Sequence, residues 1–311
     1  MRIAVADIGS NSTRLLVAEV GEDGSVTELE RRSEVTRLAA GVDVSGMLSE
    51  EAMERVYAAL ETYGGVIEEA GGVDRYVGVM TSASRDAANG EQFAAVIADR
   101  FAIDTRVIEG DFEARLSFLG ATCGRDGDET GPICVLDIGG GSTELIVGRG
   151  REVDFHVSTQ LGVVRQSERH LHHDPPTEAE LEELDAGVRR TIEESVPGEV
   201  RAAARKMIAV AGTATWMASI DLGLEEYDSA RIHGTRIGLA RCREIAAMRG
   251  SMTEARRREV RGLHPDRAPT ILTGARILCT AMECFDVEEV EVSQHDILYG
   301  VALYAAGQAQ A

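Results

Sequence analysis

The sequence predicts an α/β fold assembled from two matched domains, and three observations carry that expectation. Asp7-Ile8-Gly9-Ser10-Asn11-Ser12-Thr13-Arg14-Leu15-Leu16-Val17 recurs without a gap as Asp137-Ile138-Gly139-Gly140-Gly141-Ser142-Thr143-Glu144-Leu145-Ile146-Val147, an offset of 130 residues with seven of eleven positions identical. Around each copy, apolar runs of strand length alternate with Gly-rich turns, and beyond each copy strands alternate with helical periodicity. The 311 residues, 44% hydrophobic, suffice for two separate cores.

Taken in order, residues 2–7, 12–20 and 25–32 read as an antiparallel meander, because apolar stretches are broken by turns such as Gly21-Glu22-Asp23-Gly24. Residues 49–70 place Met53, Val56, Leu60, Tyr63 and Ile67 on one helical face behind Ser49, a good N-cap. A strand follows at 76–80, then a helix at 90–101, a strand at 104–108 and a helix over 112–119. The polar, Gly-rich stretch from Thr122 to Pro132 separates the two copies, so the domains are expected at 1–125 and 126–311. Beyond it, strands at 133–137, 143–148 and 152–158 rebuild the meander. Helices at 162–171 and 178–195 flank Pro175-Pro176, and a strand at 207–211 runs into Gly212-Thr213-Ala214-Thr215. The remainder reads as largely helical. Its last apolar stretch, about 296–306, is expected to pack back on the first domain, and the tail from Gln308 to Ala311 to fray.

Composition narrows the function classes. A net charge of -21 opposes nucleic-acid and anionic-membrane partners, since the long-range field repels them, so any anion must be caught locally. Lysine occurs once, as Lys206 before Met207, which excludes the P-loop signature Gly-Lys-Ser/Thr. No apolar run reaches membrane-spanning length and the N-terminus lacks a secretory core, so a cytoplasmic protein is expected. The five cysteines, Cys123, Cys134, Cys242, Cys279 and Cys284, form no C-x-x-C and read as reduced, mostly buried thiols.

The repeat carries the chemistry. Glycine and small hydroxyl residues at a strand-strand turn let main-chain N–H groups approach an anion closely. An ordinary hairpin turn is the alternative for either copy alone, but two matched copies, each after an aspartate, point to a phosphate or nucleotide site. The copies differ at one functional position, where Arg14 corresponds to Glu144. Asp137 closes one strand and Glu144 opens the next, so both carboxylates lie at one mouth, where hard oxygen ligands suit Mg²⁺. Arginine on the other wall would serve the remaining anionic charge.

Further segments identify a resemblance. With Asp7 to Leu15 and Asp137 to Leu145 go Met80-Thr81-Ser82-Ala83-Ser84-Arg85-Asp86-Ala87, Val107-Ile108-Glu109-Gly110-Asp111-Phe112-Glu113-Ala114-Arg115-Leu116, Leu161-Gly162-Val163-Val164-Arg165, Ala211-Gly212-Thr213 and His264-Pro265-Asp266-Arg267-Ala268. Together they resemble the exopolyphosphatase/guanosine pentaphosphate phosphatase family of the actin-like ATPase superfamily, in a short two-domain form and over essentially the whole chain. The resemblance implies duplicated actin-like (ribonuclease H-like) domains with the active site in the cleft between them. It implies Glu113 as the general base that activates water, and Asp137 and Glu144, with Asp7 as a further candidate, as ligands of Mg²⁺ or Mn²⁺. Gly9, Ser10, Asn11, Ser12, Arg14, Thr81, Ser82, Arg85, Gly140, Gly141, Ser142 and Arg267 would hold substrate phosphates.

Read without the family, Glu113 is an ordinary exposed helix carboxylate. Phe112 and Glu109 also depart from the family's usual acidic and small hydroxyl neighbours, which bears on the tuning of the base. The expected activity is hydrolysis of the terminal phosphoanhydride of inorganic polyphosphate, with guanosine pentaphosphate as the second substrate and a homodimer as the assembly. An actin-like scaffold or phosphate-ligand sensor without turnover is the alternative of another class. The additional C-terminal domains of long family members have no counterpart here, so their extended basic channel is not implied. Gly140-Gly141-Ser142-Thr143-Glu144 fails the G-x-S-x-G nucleophile elbow at its last position. The His170, His172 and His173 cluster reads as a solvated helix end, and Trp216 and Met217 as packing.

Overall fold

The computed structural model describes residues 1–125 and 131–308. Its contacts divide the chain into two compact units, Met1–Asp126 with His295–Ala311, and Gly127–Gln294. The expected break at 125/126 borders residues 126–130, and the expected fraying past Gln308 concerns residues 309–311; both segments lie outside the described residues.

In the first unit, β1 (Arg2–Ile8), β2 (Thr13–Val20) and β3 (Val26–Glu34) form the antiparallel meander, and β4 (Arg75–Met80) and β5 (Asp104–Val107) extend it in parallel beyond β1. The sheet order is β3-β2-β1-β4-β5. Helices α1 (Val42–Ser45), α2 (Glu50–Glu69), α3 (Ser82–Asp86), α4 (Gly90–Phe101) and α5 (Gly110–Ala121) fill the connections. Ser49 caps α2 by accepting from the Ala52 N–H at 3.2 Å.

Because β1 is central, both its faces are buried and it reads as a nearly unbroken apolar run. Ala4, Ala6 and Ile8, with Leu15 and Val17, pack under α2 and α4 against Tyr63, Phe93 and Ile97. Ile3 and Val5, with Leu16 and Ala18, pack on the opposite face with Leu116 and Leu119 of α5. Strand alternation puts Asp7 and Arg14 on this second face.

The second unit repeats the plan. Strands β6 (Ile133–Ile138), β7 (Thr143–Arg149) and β8 (Glu152–Thr159) form the meander, β9 (Lys206–Val210) runs parallel to β6, and β10 (Arg236–Gly238) and β11 (Glu289–Val292) complete the order β10-β11-β9-β6-β7-β8. Apart from the added edge strand β10, both sheets have the ribonuclease H-like order expected of an actin-like chain. The likeness reaches the irregularities. The β2–β3 register shifts between Val17 and Ala18, and the β7–β8 register between Val147 and Gly148, the same positions 130 residues apart.

The last third is largely helical, as expected, but it also holds strands β10 and β11. They are three and four residues long and partly polar, so they carry too little periodicity to stand out, and they exist because β9 offers β11 a partner and β11 in turn offers one to β10. The helices are α6 (Val163–His170), α7 (Glu178–Ser195), α8 (Gly198–Ala203), α9 (Ala211–Leu222), α10 (Ser229–Ile232), α11 (Leu239–Gly250), α12 (Glu254–Arg257) and α13 (Ile271–Cys284). Thr177 and Glu180 cap α7 reciprocally. One apolar cluster joins β6, β7 and β9 to α7, α9, α11 and α13, and Met217 lies in it with Trp216 packed alongside.

The last helix, α14 (Ile297–Ala305), packs in the first unit beside α5 and against Ile3, Val5 and Leu16. Backbones meet there: a Cβ at Gly120 would sit 1.8 Å from Asp296 O, and one at Gly300 would sit 1.8 Å from Leu116 O. No helix among the described residues is long and apolar enough to cross a membrane.

Candidate active site

Each repeat builds a turn of one design. The Gly9 N–H donates to Ser12 O at 3.0 Å, and the Gly139 N–H to Ser142 O at 2.9 Å. The turn in the first unit is braced from behind by Arg37 N–H on Asn11 O and Ala39 N–H on Ser10 O, both 2.9 Å. The turn in the second unit is braced by the start of α6, where Val163 and Val164 donate to Gly139 O and Gly140 O at 2.9 and 3.0 Å. A Cβ at Gly162 would lie 2.1 Å from the Gly141 carbonyl carbon, so only glycine allows this seat. Thr143 Oγ1 completes it with a 2.8 Å bond to Leu161 O.

The electrostatics of the two turns are opposite. In the first unit Asp7 stands across from Arg14 in the β1–β2 register. Arg14 donates from Nε and Nη2 to Asp7 Oδ2 at 2.8 and 2.5 Å, and from Nη1 to Asp296 Oδ2. Arg31 reaches the same Asp296 oxygen at 3.0 Å. Burial pushes the Asp7 carboxyl above the ordinary range against the pull of Arg14. Burial works on Asp296 in the same direction, but Arg14, Arg31 and the Leu298 N–H together hold its carboxyl below the ordinary range. Asp296 has two cationic partners and Asp7 has one, which accounts for the difference.

In the second unit Asp137 stands across from Glu144 in the identical register of β6 and β7. Both residues are buried, 9% and 5% exposed. Directly opposed side chains have Cβ atoms about 4.5–5.5 Å apart, and like charges there destabilise the pair. Ser158 donates to Glu144 Oε1 at 2.7 Å and relieves part of this. The donor set, two buried carboxylates on adjacent strands, fits a hard divalent cation that keeps waters and substrate phosphates as its other ligands. No cluster of three or more metal-ligating side chains occurs among the described residues, so an all-protein cage is not built there. Asp7, the third candidate ligand, has an arginine across the strand pair where Asp137 has a glutamate.

Glu113 lies in the first turn of α5 and is 8% exposed, which corrects its reading as an exposed helix carboxylate. Arg85, in α3, donates from Nη1 to Glu113 Oε2 at 3.0 Å and to Ile108 O at 2.8 Å. The same short helix carries Ser82, whose Oγ lies 2.9 Å from Ser10 Oγ in the first turn. Thr81, at the head of α3, is buried. A Cβ at Gly90 would lie 1.8 Å from Ser84 O, so the junction of α3 and α4 is locked by backbone contact. Thus Ser10, Ser82, Arg85 and Glu113 form one connected set in the first unit.

In the second unit Arg267 lies on a 3-10 turn, and a Cβ at Gly212 would come 3.4 Å from its Nη1. Gly212 follows β9 where that strand pairs with β6 at Asp137, so Arg267 belongs to the carboxyl end of the same parallel strands. Such ends are where α/β sheets bind ligands. His173 Nδ1 lies 2.8 Å from Glu180 Oε1, in keeping with a solvated helix end, and none of the five cysteines forms a disulfide.

Asp296, Arg31 and Ser158 escaped the sequence reading. Asp296 before an apolar run signals only a helix cap, and its partner Arg14 is 282 residues away.

A model of the Ppx/GppA phosphatase family matches residues 16–305. The chain is 36% identical to exopolyphosphatase 2 of Mycobacterium tuberculosis, over 98% of this chain and 99% of that protein. Among solved structures it is similar to an exopolyphosphatase-like protein, with 35% identity, a TM-score of 0.87 and coverage of 98% and 97% of the two chains. The Ppx/GppA family member of Aquifex aeolicus is 28% identical, with a TM-score of 0.84 and coverage of 99% and 98%. With the family match running from β2 to the end of α14 over two sheets of one topology, the chain belongs to the Ppx/GppA phosphatase family.

Proposed function

We propose that the protein is an exopolyphosphatase that hydrolyses the terminal phosphoanhydride of inorganic polyphosphate and releases orthophosphate. The observation that carries the reading is the connected set Ser10, Ser82, Arg85 and Glu113, which ties a buried carboxylate to a phosphate-type turn. The exopolyphosphatase names of its relatives in Mycobacterium tuberculosis support polyphosphate as the first substrate to test.

The chemistry follows from the residues. Glu113 accepts a proton from water as its oxygen attacks the terminal phosphorus in line. The bond to the bridging oxygen breaks, and its electron pair leaves with the shortened chain. Arg85 orients Glu113 through one nitrogen, and its Nε and Nη2 make no hydrogen bond among the described residues, so they are available to phosphate oxygens. Gly9 to Ser12 with Thr81 and Ser82, and Gly140 to Ser142 with Arg267, bind further phosphate oxygens. Asp137 and Glu144 hold Mg²⁺, or Mn²⁺ in its place, with Asp7 as a further oxygen donor, and the ion supplies neutralisation of phosphate charge. Positioning and charge neutralisation do most of the work in such a transfer. The net charge of -21 favours an enzyme without nucleic-acid or anionic-membrane partners, and we assign it to the cytoplasm, from a sequence without a secretory core, and to a homodimer, from its family resemblance.

Phosphate release with Mg²⁺ from short polyphosphate, long polyphosphate, guanosine pentaphosphate and ATP tests the reading. Polyphosphate should be the fastest. A higher specificity constant for guanosine pentaphosphate would move the assignment to a 5′-phosphatase, and no release from any of the four would leave a scaffold or sensor.

A further inference from the structure

The segment after β3 is tied to the first phosphate turn at two points, Arg37 N–H on Asn11 O and Ala39 N–H on Ser10 O, both 2.9 Å. It takes up two carbonyl oxygens of the turn and leaves the N–H side to a ligand. The neighbours of Arg37 are anchored inward: Thr36 is 2% exposed and Leu38 0%. Thr36 Oγ1 lies 3.0 Å from Thr13 Oγ1, and Arg55 Nε of α2 donates to Thr36 O at 2.7 Å. Leu38 sits in the apolar cluster with Tyr63 and Phe93. With both neighbours buried and its own N–H on Asn11, Arg37 takes a left-handed backbone, φ 50°. Side chains with a Cβ occupy that region only at a cost, so a residue held there points to a function. At two other left-handed positions of the same loop the chain uses glycine, Gly41 and Gly46. Position 37 instead carries an exposed arginine, whose guanidinium makes no hydrogen bond or ion pair among the described residues. Acidic side chains outnumber basic ones 53 to 32 in this chain, so a cation without a carboxylate beside a phosphate-type turn stands out from the rest.

We infer that Arg37 is a substrate-binding residue: its guanidinium takes non-bridging oxygens of the phosphate chain held at the Gly9 to Ser12 turn. The inference rests on the proposed function, in which that turn binds phosphate. The bond to Asn11 fixes the root of a long side chain beside the turn, and its length spans the few residues of that turn. A planar fork of donors meets phosphate oxygens two at a time. The left-handed backbone is set by the fold before any ligand arrives, so its cost falls on stability and not on binding. Arg37 grips the chain alike before and during transfer, so it acts on affinity and KM more than on kcat.

The test compares Arg37→Asn and Arg37→Lys with wild type. Asparagine tolerates the left-handed region better than other residues with a Cβ, so Arg37→Asn removes the cation and keeps the backbone. The ligand-free thermal midpoint, calorimetric affinity for non-hydrolysable imidotriphosphate at low and high salt, and kcat and KM on polyphosphate are read for each. In Arg37→Asn the midpoint should hold or rise. Analogue affinity should fall about tenfold at low salt, the scale of one hydrogen bond to a charged group, with KM following and kcat within about threefold. The gap from wild type should narrow at high salt, and Arg37→Lys should recover part of the affinity. Affinity and KM within about twofold of wild type in Arg37→Asn at low salt would overturn the proposal. A loss equal at low and high salt, or one accompanied by a lowered midpoint, would overturn it in favour of a structural role. Wild-type protein that neither hydrolyses polyphosphate nor binds the analogue defeats the functional reading instead, a separate result measured first.

Discussion

Glu113→Gln separates chemistry from binding most cleanly. The substitution keeps the shape of the side chain and an oxygen to accept from Arg85, but removes the charge that takes the proton from water. Losing a general base costs about 10²-fold or more in turnover. That corresponds to about 2.7 kcal/mol or more in the barrier. The stability effect is smaller: the Arg85–Glu113 contact is a single 3.0 Å bond, Arg85 keeps its bond to Ile108 O, and its side chain is 22% exposed. Discounted for that exposure, the loss is about 1 kcal/mol. The assays are steady-state phosphate release, calorimetric affinity for imidotriphosphate and a thermal melt. Turnover should collapse, affinity should hold within about threefold, and the melt should shift by a few degrees. Wild-type turnover would remove Glu113 from the mechanism, and a parallel loss of affinity would make it a binding residue.

Four further outcomes are expected. Glu144→Gln should shrink the rise in melting temperature that added Mg²⁺ provides, and an undiminished rise would contradict Glu144 as a metal ligand. Arg14→Ala leaves Asp7 and Asp296 buried with less compensation, which should cost about 3–5 kcal/mol, so a mutant with unchanged stability in urea titration would show that Arg14 serves substrate alone. Gly162→Ala forces the backbone at Gly140 and Gly141 apart from α6, and it should reduce both imidotriphosphate affinity and stability; intact binding would refute the rigid seat of the second turn. The Glu180 carboxyl, held down to about 2 chiefly by the His173 contact and then by the Thr177 N–H, binds protons more weakly folded than unfolded, so its stabilisation is complete above its ordinary range and is lost as pH falls toward 2. Glu180→Gln should flatten that acid limb in pH-dependent melts, and an unchanged limb would dismiss the contribution.

Much of the fold was legible because it is written twice. The repeat of Asp7 to Val17 at Asp137 to Val147 implies two equal β-turns, and the sheets repeat even the strand bulge after Val17 and Val147. Helices α2, α4 and α7 were readable from apolar spacing and capping residues. The strands β10 and β11 were not, since strands of three and four residues depend on a neighbouring strand for their hydrogen bonds.

By itself the sequence determined the doubled phosphate turn, its asymmetry at Arg14 and Glu144, and membership of a phosphatase family, because local hydrogen bonding and strand alternation act within a dozen residues. Only the tertiary structure decided what those residues face. Burial and Arg85 turn Glu113 from an apparent surface carboxylate into a held one, the strand register sets Asp137 against Glu144, and the return of α14 delivers Asp296 to Arg14. The physical reason is common to all three: an ionic contact depends on distance in space and on exclusion of water, and neither is encoded in the spacing of residues along the chain.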